Sequence, residues 1–181
     1  GLVGAGRTET MLAMYGVEKI EDGQIRIDGK SFVPQNPLSA CNAGIAFIPE
    51  DRRNEGIVAQ MDIGENLSLT ATKMWAKHGI IDKKKEKSRF ENIREALNIV
   101  CAGKNQLVGE LSGGNQQKIV IGKWLVSEPK IFILDEPTRG IDVGAKAEIY
   151  KLMCEFAKQG MAIIMISSDL PELMGMADRI Y

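Results

Sequence analysis

The chain has 181 residues, 44% hydrophobic and 26% charged, which is the size and balance of one globular domain with a proper core. Its 23 basic and 24 acidic side chains leave a formal net charge of −1, which argues against a broad polyanion-binding surface and so against nucleic acid as a partner. No apolar run approaches the ~20 residues needed to cross a bilayer and no signal peptide opens the chain, so any membrane span is expected to come from a partner.

In chain order, residues 1–6 form a glycine-rich loop, and residues 8–15 read as a helix with Met11, Leu12 and Tyr15 on one face. Residues 24–29 alternate polar and apolar and stop at Asp28-Gly29, as a half-exposed strand entering a turn should. Ile45-Ala46-Phe47-Ile48 reads as a short buried strand that ends at Pro49. From about residue 61 to 107 the pattern becomes helical. Phe90, Ile93, Leu97 and Val100 recur at spacings of three and four, beside the charged run Lys83-Lys84-Lys85-Glu86-Lys87, whose ordinary reading is a solvated helix face. A helical subdomain of about residues 61–110 is therefore expected inside an α/β core.

Ile131-Phe132-Ile133-Leu134 and Ile163-Ile164-Met165-Ile166 are continuous apolar strands, and residues 145–158 between them are helical with Ile149, Leu152, Met153 and Phe156 inward. Short apolar runs alternating with helices indicate an α/β fold with a parallel-rich sheet. Ile180 and Tyr181 look like the start of a further strand, and Gly1 lies inside a loop, so residues 1–181 read as one domain truncated at both ends. Cys41, Cys101 and Cys154 have neither metal-ligand spacing nor the density of a disulfide framework, so reduced, packed thiols are expected. The lone His78 reads as a surface residue and the nine methionines as core fillers.

Three strings carry chemistry. Gly1-Leu2-Val3-Gly4-Ala5-Gly6-Arg7-Thr8 fits the phosphate-loop spacing G-x-x-x-x-G-K-[ST] at every position but the lysine. Its glycines let backbone N–H groups curl round a phosphate, the following helix aims its positive end there, and Thr8 would offer a hydroxyl to Mg²⁺. Arg7 puts a planar fork where a compact ammonium is usual, and Glu9 adds a carboxylate near the phosphates. Taken alone, a tight turn entering a helix accounts for this string equally well. Leu111-Ser112-Gly113-Gly114-Asn115-Gln116-Gln117 is more specific. Its glycines permit close backbone approach to a phosphate, Ser112 adds a hydroxyl, and a helix with Ile119, Val120, Ile121, Trp124 and Leu125 buried starts here. Finally, the strand before Asp135, Glu136 and Pro137 delivers two carboxylates to the edge where ligands bind in open α/β sheets. Asp135 would hold the Mg²⁺ shell and Glu136 would orient the attacking water.

In this order the three strings resemble the ATP-binding-cassette (ABC) ATPases, a P-loop NTPase family, over essentially the whole chain. Residues 111–117 resemble the family's signature motif, 131–136 its Walker B strand, and 1–8 a degenerate Walker A loop. Glu50 stands where a Q-loop glutamine is usual, residues 140–142 resemble the D-loop, and Ser168 stands where the switch histidine is usual. Residues 4–9, 49–53, 136–146 and 166–169 together resemble the C-terminal cassette of the duplicated ATPases that energise ribose, galactose, xylose and arabinose import.

The resemblance implies ATP and Mg²⁺ as cofactors and Glu136 as the catalytic residue. It implies nucleotide contacts from Gly1, Gly4, Ala5, Gly6, Arg7, Thr8, Glu9, Glu50, Ser112, Gly113, Gly114, Gln116 and Ser168, and metal contacts from Thr8 and Asp135. The implied partners are the N-terminal cassette of the same polypeptide, transmembrane permease subunits and, indirectly, a periplasmic or lipoprotein sugar-binding protein, all serving a place on the cytoplasmic face of the cell membrane. Loss of a γ-phosphate contact commonly costs several kcal/mol in a transition state. The Arg7 site is therefore expected to hydrolyse slowly or not at all, leaving a donor role for Ser112, Gly113 and Gly114. Two alternatives stay open: an ABC-type ATPase of DNA repair or chromosome maintenance, and a regulatory module that binds nucleotide without turnover.

Overall fold

The computed structural model describes residues 6–70, 76–77, 80–81 and 83–181, so residues 1–5 of the glycine-rich loop and His78 lie outside the described residues. Helix α1 (Arg7–Tyr15) starts at Gly6 and stops at Gly16, whose φ of 82° closes the helix with an N–H bond to the Ala13 carbonyl. A Cβ on Gly16 would stand 2.8 Å from the Asn36 backbone, so the conformation and the space both demand glycine. The strands β1 (Ile25–Ile27) and β2 (Lys30–Phe32) form an antiparallel hairpin, turned by Asp28 and Gly29 at φ 51° and 75°. The return strand β2 is not visible in the sequence pattern, because Lys30 and Ser31 are both exposed and leave no apolar alternation.

Helix α2 (Pro37–Asn42) opens on an Asn36/Ser39 capping box with proline in its first turn, and leads into β3 (Ile45–Ile48), all four residues of which are buried. Helix α3 (Ile63–Ser68) has the same kind of start, an Asp62/Glu65 box. A short hairpin of β4 (Ala76–Lys77) and β5 (Ile80–Ile81) precedes α4 (Lys83–Ala96). Helix α5 (Gly113–Leu125), strand β6 (Ile131–Asp135), helix α6 (Val143–Lys158), strand β7 (Ala162–Ile166) and helix α7 (Leu170–Met176) complete the order.

The main sheet is β3-β6-β7, parallel throughout, with Ile48 opposite Leu134 and Asp135 opposite Ile166. Strand alternation sends the side chains of β6 to two separate cores. Phe132 and Leu134 join the larger cluster with Ile119, Ile121, Ile149 and Phe156. Ile133 joins the smaller one with Tyr15, Ala40, Ile45 and Phe47, where the Tyr15 and Phe47 rings stack at 5.4 Å. A continuous apolar run is therefore the correct pattern for this strand, because neither of its faces meets water.

Within residues 61–110, Ile63, Leu67, Phe90, Ile93 and Leu97 pack into the same cluster as one face of the sheet. Close approach is what makes this possible. A Cβ on Gly122 of α5 would lie 2.7 Å from Ile93 Cγ2 and 3.1 Å from Leu67 and Leu97 methyls, so only a bare backbone lets the three helices meet.

Several expectations need correction. Val100 is not on the inner face of α4 but 70% exposed, because the helix stops at Ala96 and Asn98 reverses the chain at φ 49°. Ile99 takes the inward place instead, at 5% exposure. Ile180 and Tyr181 form no strand and are exposed. The three cysteines are free, but Cys154 is exposed rather than packed. No helix among the described residues is long and apolar enough to cross a membrane.

Candidate functional site

The carboxyl ends of β6 and β7 and the start of α1 converge. Strand β6 ends on Asp135, 1% exposed, and the chain then turns sharply through Glu136, held at φ 45° by its N–H bond to the Ile166 carbonyl. A left-handed backbone at a bulky acidic residue is strained, and such strain persists where the surroundings over-determine it, often at a functional position. Thr8 Oγ1 donates to Asp135 Oδ2 at 2.7 Å. Arg7 Nη1 crosses the site to donate to the Ser167 carbonyl at 2.9 Å, and Ser168 Oγ donates to Glu136 Oε2 at 3.2 Å. Thr8, Asp135, Glu136, Arg7 and Ser168 are thus brought together, while Glu9 is exposed beside them.

Burial pushes the Asp135 carboxyl above its ordinary range, opposed by the Thr8 hydroxyl and the Arg7 charge, with the Glu9 charge adding to the rise. Its Oδ1 is buried and has no hydrogen-bond partner. An orphaned carboxylate oxygen next to a threonine hydroxyl fits a hard cation that takes oxygen ligands. Among the described residues no group of three or more acidic, cysteine or histidine side chains could cage such an ion. One carboxylate and one hydroxyl are a donor set that fits Mg²⁺, which ordinarily takes one or two carboxylates and completes its shell from water and phosphate oxygens.

Behind this site lies a buried hub that the sequence reading missed. Glu172 is 6% exposed, and its carboxylate accepts from the Thr138 hydroxyl at 2.9 Å and from the Ser167 hydroxyl. It thereby ties the loop after Glu136 to the loop that presents Ser168. The sequence hides this role, because Glu172 stands in the first turn of a helix capped by Asp169, where an acid is unremarkable as a helix-dipole partner.

A second edge forms at the start of α5. Ser112 caps the helix, its Oγ accepting from Asn115 Nδ2 at 3.0 Å, while Asn115 Oδ1 accepts from the Val100 N–H at 2.9 Å. Ser112 is exposed and Gly113 half-buried, and Gly114 is pressed against α6, where a Cβ would stand 2.5 Å from that of Ala145. Arg52, at the start of a π-type turn (Arg52–Gly56), donates through Nη1 to the Arg139 carbonyl at 2.7 Å and through Nη2 to the Gly140 carbonyl at 3.0 Å. Glu50 pairs with the Arg139 side chain. Gln116 is turned into the protein, 4% exposed, with its amide donating to the Val108 carbonyl at 3.3 Å, whereas Ser112 and Gly113 stay on the accessible edge.

Two edges built from these motifs, one lined by Thr8, Asp135 and Glu136 and one by Ser112 and Gly113, sit on a parallel three-stranded sheet. A family description reading "ABC transporter" matches residues 1–139. The chain belongs to the ABC transporter family. It is 53% identical over 180 residues to the ribose import ATP-binding protein RbsA of Lactococcus lactis subsp. cremoris, and 51% identical to that of Oceanobacillus iheyensis. These matches cover 99% of this chain but only 37% and 36% of those proteins, so the chain spans little more than a third of the length of its relatives. Among solved structures, a nucleotide-free ATP-binding cassette from an ABC transporter superposes with a TM-score of 0.81 at 21% identity, covering 98% of this chain and 72% of that one. The ABC cassette MJ1267 gives 0.79 at 22% identity, covering 96% and 70%. At that identity the likeness establishes the fold. This ABC ATPase domain therefore has an α/β P-loop NTPase architecture.

Proposed function

We propose that this domain is the C-terminal cassette of a two-cassette ATP-binding protein that energises monosaccharide import, of the ribose type, and that it acts mainly by offering Ser112, Gly113 and Gly114 to ATP held by the N-terminal cassette. The sugar-import reading is supported by 46% to 53% identity to ribose import ATP-binding proteins along almost the whole chain. The share of those relatives left uncovered is large enough for a second cassette. The partners then follow: the N-terminal cassette, transmembrane permease subunits docked at the cytoplasmic face of the membrane, and through them a sugar-binding protein.

The donor role rests on one observation above all: Arg7, at the lysine position of the phosphate loop, has its guanidinium bonded to the Ser167 carbonyl. A lysine there would present a mobile point charge to a γ-phosphate, but a planar fork fixed on a backbone carbonyl is poorly placed to follow charge as it develops. Ser168 at the switch position bonds Glu136 and cannot supply an imidazolium. When bound, Mg²⁺ would neutralise phosphate charge beside Thr8 and Asp135, and these two residues would orient it. Glu136 keeps the carboxylate suited to polarising a water, so slow chemistry at this site is the specific competing reading.

The import reading is tested with the complete protein and its membrane subunits in vesicles, together with the cognate sugar-binding protein. ATP hydrolysis is expected to rise with a loaded binding protein and to accumulate ribose inside. Hydrolysis indifferent to ribose, galactose, xylose and arabinose alike would contradict the reading.

A further inference from the structure

Arg52 lies outside every role assigned above, yet it touches three loops at once. Its guanidinium takes two consecutive carbonyls, Arg139 and Gly140, in the fork geometry that only arginine offers. Those carbonyls belong to the turn that runs into Asp142, the cap of α6, whose Oδ1 accepts from the Ala145 N–H at 2.9 Å. The same guanidinium roofs Gly113: a Cβ there would stand 2.8 Å from Arg52 Nη2 and 3.4 Å from the Gly140 carbonyl oxygen. Arg52 itself is anchored in the segment after β3 by the turn that Asp51 caps, with Asp51 Oδ1 accepting from the Arg53 and Asn54 N–H groups at 3.1 Å. The adjoining Glu50–Arg139 pair adds a second tie between the same two segments.

We propose that Arg52 is a positioning residue of the signature edge: its guanidinium sets the spacing between Gly113 and the turn at 139–142, and so the angle at which Ser112 and Gly113 meet the nucleotide of the other cassette. Three loops that have no covalent reason to move together then move as one piece. A shift of the segment at 50–53 is delivered to Gly113 and to the 139–142 turn through a single side chain. The inference rests on the donor role proposed above. It goes beyond that role in naming the residue that holds the donor in place and in joining it mechanically to the segment after β3.

The test is a double-mutant cycle on ATP turnover in the complete two-cassette protein with its membrane subunits, using Arg52→Ala, Gly113→Ala and the pair. Each single substitution is expected to lower kcat while leaving the KM for ATP within about twofold, because the edge closes on nucleotide already bound elsewhere. In the Arg52→Ala background the methyl of Gly113→Ala no longer meets a guanidinium. The double variant is then expected to retain on the order of tenfold more activity than the product of the two single losses, a coupling typical of residues in direct contact. Arg52→Lys, which keeps the charge but reaches one carbonyl instead of two, is expected to fall between Arg52→Ala and the unsubstituted protein, and it serves for the same cycle if the alanine variant does not assemble. Losses that simply multiply, or full kcat in Arg52→Ala, overturn the inference while leaving the donor role standing. Full turnover in Gly113→Ala removes the donor role, and the inference falls with it.

Discussion

Gly113→Asp is expected to lower ATP turnover of the complete two-cassette protein by about 100-fold or more, on the scale of losing one preorganised donor to a developing oxyanion. The geometry gives two independent reasons. Any Cβ at position 113 stands 2.8 Å from Arg52 Nη2, so the guanidinium must shift, which disturbs its bonds to the Arg139 and Gly140 carbonyls. The new carboxylate would also offer Arg52 a closer partner than Gly140 while turning a negative charge toward the place where phosphate is to be received. Both effects act in the closed state, so the loss is expected in kcat, measured as steady-state hydrolysis under saturating ATP. Turnover within a few-fold of the unsubstituted protein would mean that this edge does not meet a working nucleotide site.

The second large effect is on stability. Glu172→Ala removes the carboxylate that accepts from the Ser167 and Thr138 hydroxyls, at positions where both residues are almost fully shielded from water, and leaves Ser167 Oγ a long 3.5 Å contact to the Asp169 carbonyl. Hydrogen bonds to a charged group are worth about 1.5–3 kcal/mol each and are not additive in one network, so a loss of about 3 kcal/mol is expected. For a domain of this size that lowers the thermal midpoint by roughly 6–12 °C. Glu172→Gln keeps the shape and one acceptor oxygen, and about 1 kcal/mol is the corresponding expectation. Calorimetry on the complete protein separates the two variants. A midpoint unchanged in Glu172→Ala would show that the loops carrying Glu136 and Ser168 are held together by something other than this carboxylate.

The elements that could be read from the chain are those whose signal is local. Strands β3 and β6 are short runs, apolar up to the terminal Asp135, and the fold covers both their faces, so pattern and burial coincide, whereas the equally apolar β7 is only partly buried. Helix α6 buries Ile149, Leu152, Met153 and Phe156 at the spacing expected from the sequence. Thr8 and Asp135, 127 residues apart, meet only in the fold, and the sequence offers them separately, each through its own string, as expected metal contacts. What escaped was decided by single backbone angles or by tertiary contacts. Asn98 in the left-handed region rotates Val100 outward even though the three-and-four spacing runs on through it. The Asp28-Gly29 turn was visible, but the strand that follows it is polar enough to hide. Gln116 stands three residues after Gly113 on the accessible edge, yet its position on the helix turns it inward, toward Val108. Glu172 carries no periodic or motif signal, and Arg52 lies in the string 49–53 with nothing in the sequence to single out its own role. Each becomes a structural centre only once loops from 34 to 88 residues away are folded against it.

Glu136→Gln in the complete protein with its membrane subunits separates a cassette that completes its neighbour's nucleotide site from one that runs its own. The substitution changes little in shape and removes the one carboxylate suited to activating a water here. More than half of the steady-state ATP turnover is expected to remain, because chemistry at the Arg7 site contributes little to it. A loss of about tenfold or more, equal to ~1.4 kcal/mol or more in the barrier, would show that the Arg7 site hydrolyses ATP in its own right.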